Sequence, residues 1–190
     1  MFDLSFFMVL MSLSMLTKAP KEYICESTAH DGSYSCQPED FCNDPSVFSV
    51  KPNLELADSY DNWIISFNLQ CASKADIGLI GSSFFIGWVT LIPLVSPLAD
   101  KFGRWKLLFA GTVMGMIAWT ILLNSSSFAM LIFCMAIHGG TSNMRIAIAM
   151  LNTYESMTRA HYVAAFVSTA VFEASCGPLS TLYFMFVSKQ

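Results

Sequence analysis

"SPLADKFGRWK", residues 96–106, sets an aspartate, three basic residues and a glycine between two strongly apolar runs. The 190-residue chain is 54% hydrophobic and only 13% charged, with a mean hydropathy of +0.52. A soluble domain usually carries about 25% charged residues. The apolar residues come in blocks, not at amphipathic spacing, which is the pattern of a membrane protein. The charged stretch then reads as a tight turn between two spanning helices. Gly103 supplies the positive φ such a turn requires, Asp100 ends the first helix, and Arg104 starts the second within its reach.

Outward from this turn, a bilayer-spanning helix needs roughly 20 apolar residues. Four runs qualify: about 77–98, 107–123, 128–151 and 162–188. Phe102 and the stem of Lys106 can extend the short second run. A fifth run, FDLSFFMVLMSLSML at 2–16, is shorter. Its length allows a signal peptide, but it carries Asp3 in place of a basic n-region and no clear small-x-small cleavage site follows. The alternative is a spanning helix whose start is missing.

Basic residues in short loops set orientation. Lys101, Arg104 and Lys106 flank the first full turn; Arg159 and His161 flank the last. Both turns are expected on the cytoplasmic side. Residues 17–76, with ten of the fourteen acids and four lysines, are then an extracytoplasmic loop. In that oxidising space Cys25, Cys36, Cys42 and Cys71 can form two disulfides in any of three connectivities. Zinc is the rival reading, but there is no Cys-x-x-Cys pair, so no metal is expected. Asn124-Ser-Ser matches a glycosylation sequon, yet lies too close to the membrane for modification to be expected. A net charge of −4 and a pI near 5.2, without a basic tract, give no case for nucleic acid. No catalytic motif or cofactor-binding loop appears, so neither an enzyme nor a cofactor is indicated.

The pattern Asp100-Lys101-x-Gly103-Arg104 resembles the signature loop between the second and third helices of the major facilitator superfamily. Ser96 stands where that family has glycine and Trp105 where it has a basic residue, with Lys106 one position late. "NWIISFNLQC" (62–71), the cysteine-bearing outer loop, "SSFFIGW" (82–88) and "GGTSNMRIAIAMLNTYES" (139–156) resemble the organic-ion transporter branch. The resemblance runs from about residue 2 to 188. It implies an all-α polytopic membrane helix bundle, with four to five helices of an N-terminal half, and favours a truncated first helix for residues 1–16. It also implies an Arg104–Glu155 bond, with Arg159 nearby, although related carriers usually place that arginine further on. Helix six and the second half of a twelve-helix carrier are not in this sequence.

Inside the spans, Arg145 and Glu173 are costly in lipid, at roughly 2.5–3.5 kcal/mol for a central charge, and should face protein or water. His138, Ser142, Arg145, Ala149 and Asn152 share one helical stripe; Thr169, Glu173, Cys176 and Ser180 share another. By helical rise Arg145 lies roughly 9–14 Å and Glu173 roughly 17 Å from the inner face, so a buried Arg145–Glu173 pair is one expectation. The other is that both stripes line a solute cavity, with Glu173 attracting a cation or carrying a proton. His138 is either a proton relay or a hydrogen-bonded packing residue. Gly111-x-x-x-Gly115 permits close helix contact.

The expected function is membrane transport: a secondary carrier of small organic ions or polar solutes in a plasma membrane, incomplete as given. Its partners are the lipid bilayer, the solute, and a missing second half or partner membrane chain. The alternative is a non-transporting membrane protein whose disulfide loop is a binding or assembly module.

Overall fold

The computed structural model describes residues 4–27, 30–42, 46–53, 59 and 62–186. In chain order it contains α1 (Leu4–Leu16), β1 (Tyr23–Ser27), β2 (His30–Cys36), the single turn α2 (Pro38–Phe41), β3 (Val47–Pro52), the single turn α3 (Trp63–Ser66), α4 (Lys74–Phe102), α5 (Arg104–Asn124), α6 (Phe128–Ser156) and α7 (Arg159–Phe186). The chain forms two compact units: Gly78–Pro178 with the chain through Met11, and Ser12–Ile77 with the chain from Leu179 onward.

The first unit is the membrane bundle, and its long helices overrun the apolar runs at one or both ends. α4 begins three residues early because Ser73 and Asp76 cap each other. The Ser73 Oγ accepts from the Asp76 N–H at 3.2 Å and the Asp76 carboxylate accepts from the Ser73 N–H at 3.2 Å, the reciprocal box that starts a helix. α6 continues five residues past its apolar run, to Ser156. Pro93, Pro97 and Pro178 lie inside helices that continue through them.

Among the described residues three helices, α4, α5 and His161–Phe186 of α7, are long and apolar enough to cross a membrane. α6 has the length but not the composition, because residues 138–145 are polar or glycine-rich. The packing accounts for it. Every residue from His138 to Met144 is buried, so that part of α6 is enclosed by protein on all faces. α5 is two-sided: Leu107, Gly111, Gly115, Ala118 and Leu122 are buried at helical spacing, while Phe109, Met116 and Leu123 on other faces are 65–80% exposed. An exposed apolar face on so long a helix is what a lipid solvent requires.

Glycine sets the approach of α4 to α6. A Cβ on Gly87 would collide with the Ala136 carbonyl, and one on Gly139 with the Phe84 carbonyl. A Cβ on Gly140 would lie 3.0 Å from the Gly87 oxygen. The two backbones therefore touch where the glycines meet. Below this crossing, Val95 and Ala99 of α4, Leu107 of α5 and Met144 and Ile148 of α6 form one apolar cluster.

The second unit holds a three-stranded antiparallel sheet, order β2-β1-β3, which the sequence does not announce. Tyr23 pairs with Cys36 and Pro52, and Cys25 with Tyr34 and Val50. One face buries Tyr23, Cys25 and Cys36 against Tyr34, Phe41, Val47 and Val50. Of the three possible connectivities, the structure forms Cys25–Cys36 and Cys42–Cys71. Asn62, 3% exposed, caps α3 by accepting from the Ile64 N–H, and donates to the Met15 and Lys18 carbonyls at 3.1 and 2.6 Å. It thereby pins the end of α1 to the end of the loop.

Candidate functional site

Gly103 sits between α4 and α5 with φ 88° and ψ 137°, the positive φ that the turn demands. That reversal brings Arg104 over the C-terminal end of α6. Its guanidinium holds both carboxylate oxygens of Glu155: Nη2 donates to Oε1 at 2.8 Å, and Nη1 donates to Oε2. The fork is a two-point, charge-assisted contact joining residues 51 apart in sequence. Its side chains are 29% and 54% exposed. The Arg104 hydrogen bonds, and less so its charge, hold the Glu155 carboxyl below its ordinary pKa. Asp100 is exposed and its charge also favours the guanidinium. Lys101 lies over the Phe102 ring at 5.5 Å. The bond that the sequence resemblance implied is thus present in the geometry. The Arg159 side chain lies outside the described residues.

The polar run of α6 is organised differently from the expected stripe. Arg145 and Glu173 form no ion pair among the described residues. Arg145 donates from Nη2 to the Ser142 Oγ at 3.2 Å and is laid along α5. A Cβ on Gly115 would lie 3.4 Å from its Nη1 and 3.4 Å from the Thr141 Oγ1, and one on Gly111 would lie 3.5 Å from its Cγ. The Gly111-x-x-x-Gly115 notch therefore accommodates an arginine side chain. Glu173 is half-buried on α7.

His138, 3% exposed, has its ring 5.2 Å from Trp119 and 6.0 Å from Phe84, centroid to centroid. Asn143 donates from Nδ2 to the Trp88 carbonyl at 3.0 Å, tying α6 to α4 beside the glycine crossing. Asn152 is half-buried, while Thr169 returns its hydroxyl to the Ala165 carbonyl at 2.8 Å. Thr169 also lines a hollow of about 20 Å³ between α6 and α7, with Met150, Thr153, Tyr154, Tyr162, Ala165 and Phe166. Arg145, Ser142 and His138 are not in its lining. Sequence reasoning missed the part played by Thr141, Trp119 and Gly87. Thr141 stands one turn from His138 and Arg145, so helical spacing alone could have found it.

A family model, that of the Major Facilitator Superfamily, matches residues 1–188. The chain belongs to this superfamily. No curated protein and no solved structure gives a significant match. Members of the superfamily are membrane transporters, not enzymes, so the coarse function is transmembrane transport by a multi-pass integral membrane protein. In this superfamily chain the turn that carries the signature residues is also the place where the α4–α5 hairpin is bound to α6.

Proposed function

We propose that the chain acts as a secondary carrier of small organic ions or similar polar solutes, moved by alternating access. The observation that carries this reading is the Arg104–Glu155 fork. An exposed two-point ion pair between helix ends is a contact that one conformation makes and another breaks. With Asp100 beside it, the fork holds the cytoplasmic side closed, and Lys101, Gly103 and Arg159 belong to the same gate. The disulfide-tied loop and the "NWIISFNLQC" and "SSFFIGW" segments support the organic-ion branch. The two disulfides support an extracytoplasmic placement of the loop, and the organic-ion resemblance supports a plasma membrane. Arg145, Glu173, His138, Ser142, Asn152 and Thr169 are the candidate solute contacts, with Glu173 attracting a cation or carrying a proton. Alternating access needs an opposing wall, which a second half or a partner membrane chain would supply.

The test is cysteine accessibility in Asp100→Ala. Single cysteines facing the two sides of the membrane should change in opposite directions, more labelled from the cytoplasm and less from outside. Unchanged labelling on both faces would reject the gate. One observation favours a second reading. The loop has its own sheet and buried core, as a binding or assembly module would. Partners that co-purify through the loop, with uptake at background, would decide for it.

A further inference from the structure

Trp105 is 76% exposed and Phe102 is 57% exposed, on either side of Gly103 in the turn where the superfamily resemblance puts a basic residue at position 105. Trp105 is not stranded there. It opens an exposed line on α5 that continues through Phe109, Val113, Met116 and Leu123, at helical spacings of three, four and seven residues. It therefore stands at the end of a lipid-facing stripe, at the first turn of the helix. Tryptophan is favoured at that level because its ring is apolar and its indole N–H seeks an acceptor. Among the described residues no hydrogen bond accepts that N–H.

The charges beside it are in surplus by one, since Lys101, Arg104 and Lys106 stand against Asp100 and Glu155. Of the three basic residues of the turn, Arg104 is engaged by Glu155. Lys101 and Lys106 are exposed, and neither has a carboxylate within ion-pair distance among the described residues. Lys101 rests on the Phe102 ring. The turn thus offers two ammonium groups and an indole donor at the boundary of an apolar face. We infer that it is a docking site for anionic phospholipid headgroups, with Lys101 and Lys106 on the phosphate and Trp105 and Phe102 among the upper acyl carbons. The inference needs the α4–α5 hairpin to span a bilayer and is independent of whether the chain carries solute.

The experiment reconstitutes the full chain in vesicles of phosphatidylcholine containing either brominated phosphatidylglycerol or brominated phosphatidylcholine with the same chains. Trp105 fluorescence is isolated by subtracting the Trp105→Phe variant. Quenching should give a relative association constant for the anionic lipid about fivefold or more above that for phosphatidylcholine. Lys101→Gln with Lys106→Gln should bring the ratio to near one, and Lys101→Arg with Lys106→Arg should keep it high. A ratio near one in the unaltered chain would overturn the site. So would a preference that survives the double glutamine substitution, since the lysines would not be its source.

Discussion

Tyr23 carries its phenol into a site with no solvent exposure, and among the described residues nothing hydrogen-bonds its hydroxyl. Burial pushes its pKa up to about 12. A phenol whose folded pKa is raised keeps its full contribution below the ordinary value near 10 and loses it as pH climbs toward 12. Near-ultraviolet circular dichroism should therefore show the loop weakening over that alkaline window. Tyr23→Phe should flatten that limb and leave neutral-pH stability unchanged or higher by about 1 kcal/mol, since it removes a buried donor that lacks a partner. Glu155 has the opposite sign. Its pKa is depressed by Arg104, so the fork is intact above the ordinary carboxylate range and lost as pH falls below it. Cytoplasmic labelling of a cysteine at position 152 should stay flat from pH 8 to 6 and rise in Glu155→Gln, by less than about tenfold because the pair is exposed. The fork was legible from sequence because its residues carry a motif. The Tyr23 site was not, because a tyrosine among cysteines gives no sign of which side of a sheet it will face.

At the level of elements, α6 is held by contacts that leave little trace in a hydropathy profile. Gly139-Gly140 is visible in the sequence, but its partner Gly87 lies in "FFIGW" with no spacing to mark it. The crossing can be read only once α4 and α6 are placed against each other. Gly139→Ala drives a Cβ into the Phe84 carbonyl, which is backbone and cannot move aside. A loss of about 1–3 kcal/mol is expected, read as a lower midpoint of thermal aggregation in detergent. Gly78→Ala is the control: its Cβ meets nothing within 4 Å, and the helix should gain up to about 1 kcal/mol. Equal effects at both positions would mean that helix propensity governs and the close approach does not. The expected Arg145–Glu173 pair failed for a related reason. Helical stripes give a residue's azimuth on its own helix but not which neighbour it faces, and Arg145 is turned onto the α5 glycines.

Across the whole chain, charge segregation sets residues 17–76 apart as the expected loop, while the strands within it stayed hidden. β2 reads HDGSYSC, with neither a clean alternation nor a β-branched run, and its order comes from pairing with β1 and from the Cys25–Cys36 bridge. Cys42–Cys71 closes a separation of 29 residues, which stabilises such a loop by about 3.6 kcal/mol through the restricted unfolded chain. The two units therefore allow two functions to be tested independently. Glu173 is half-buried on α7 without a partner among the described residues, in a helix apolar enough to span. If it contacts solute or carries a proton, Glu173→Gln should lower uptake at least about tenfold while the non-reducing mobility of the loop stays unchanged. Opening the Cys42–Cys71 bridge by serine substitution should have the converse profile, shifting loop mobility and surface expression while uptake per surface molecule persists. Uptake that survives Glu173→Gln but falls per surface molecule with the opened bridge would move the functional centre from the bundle to the loop.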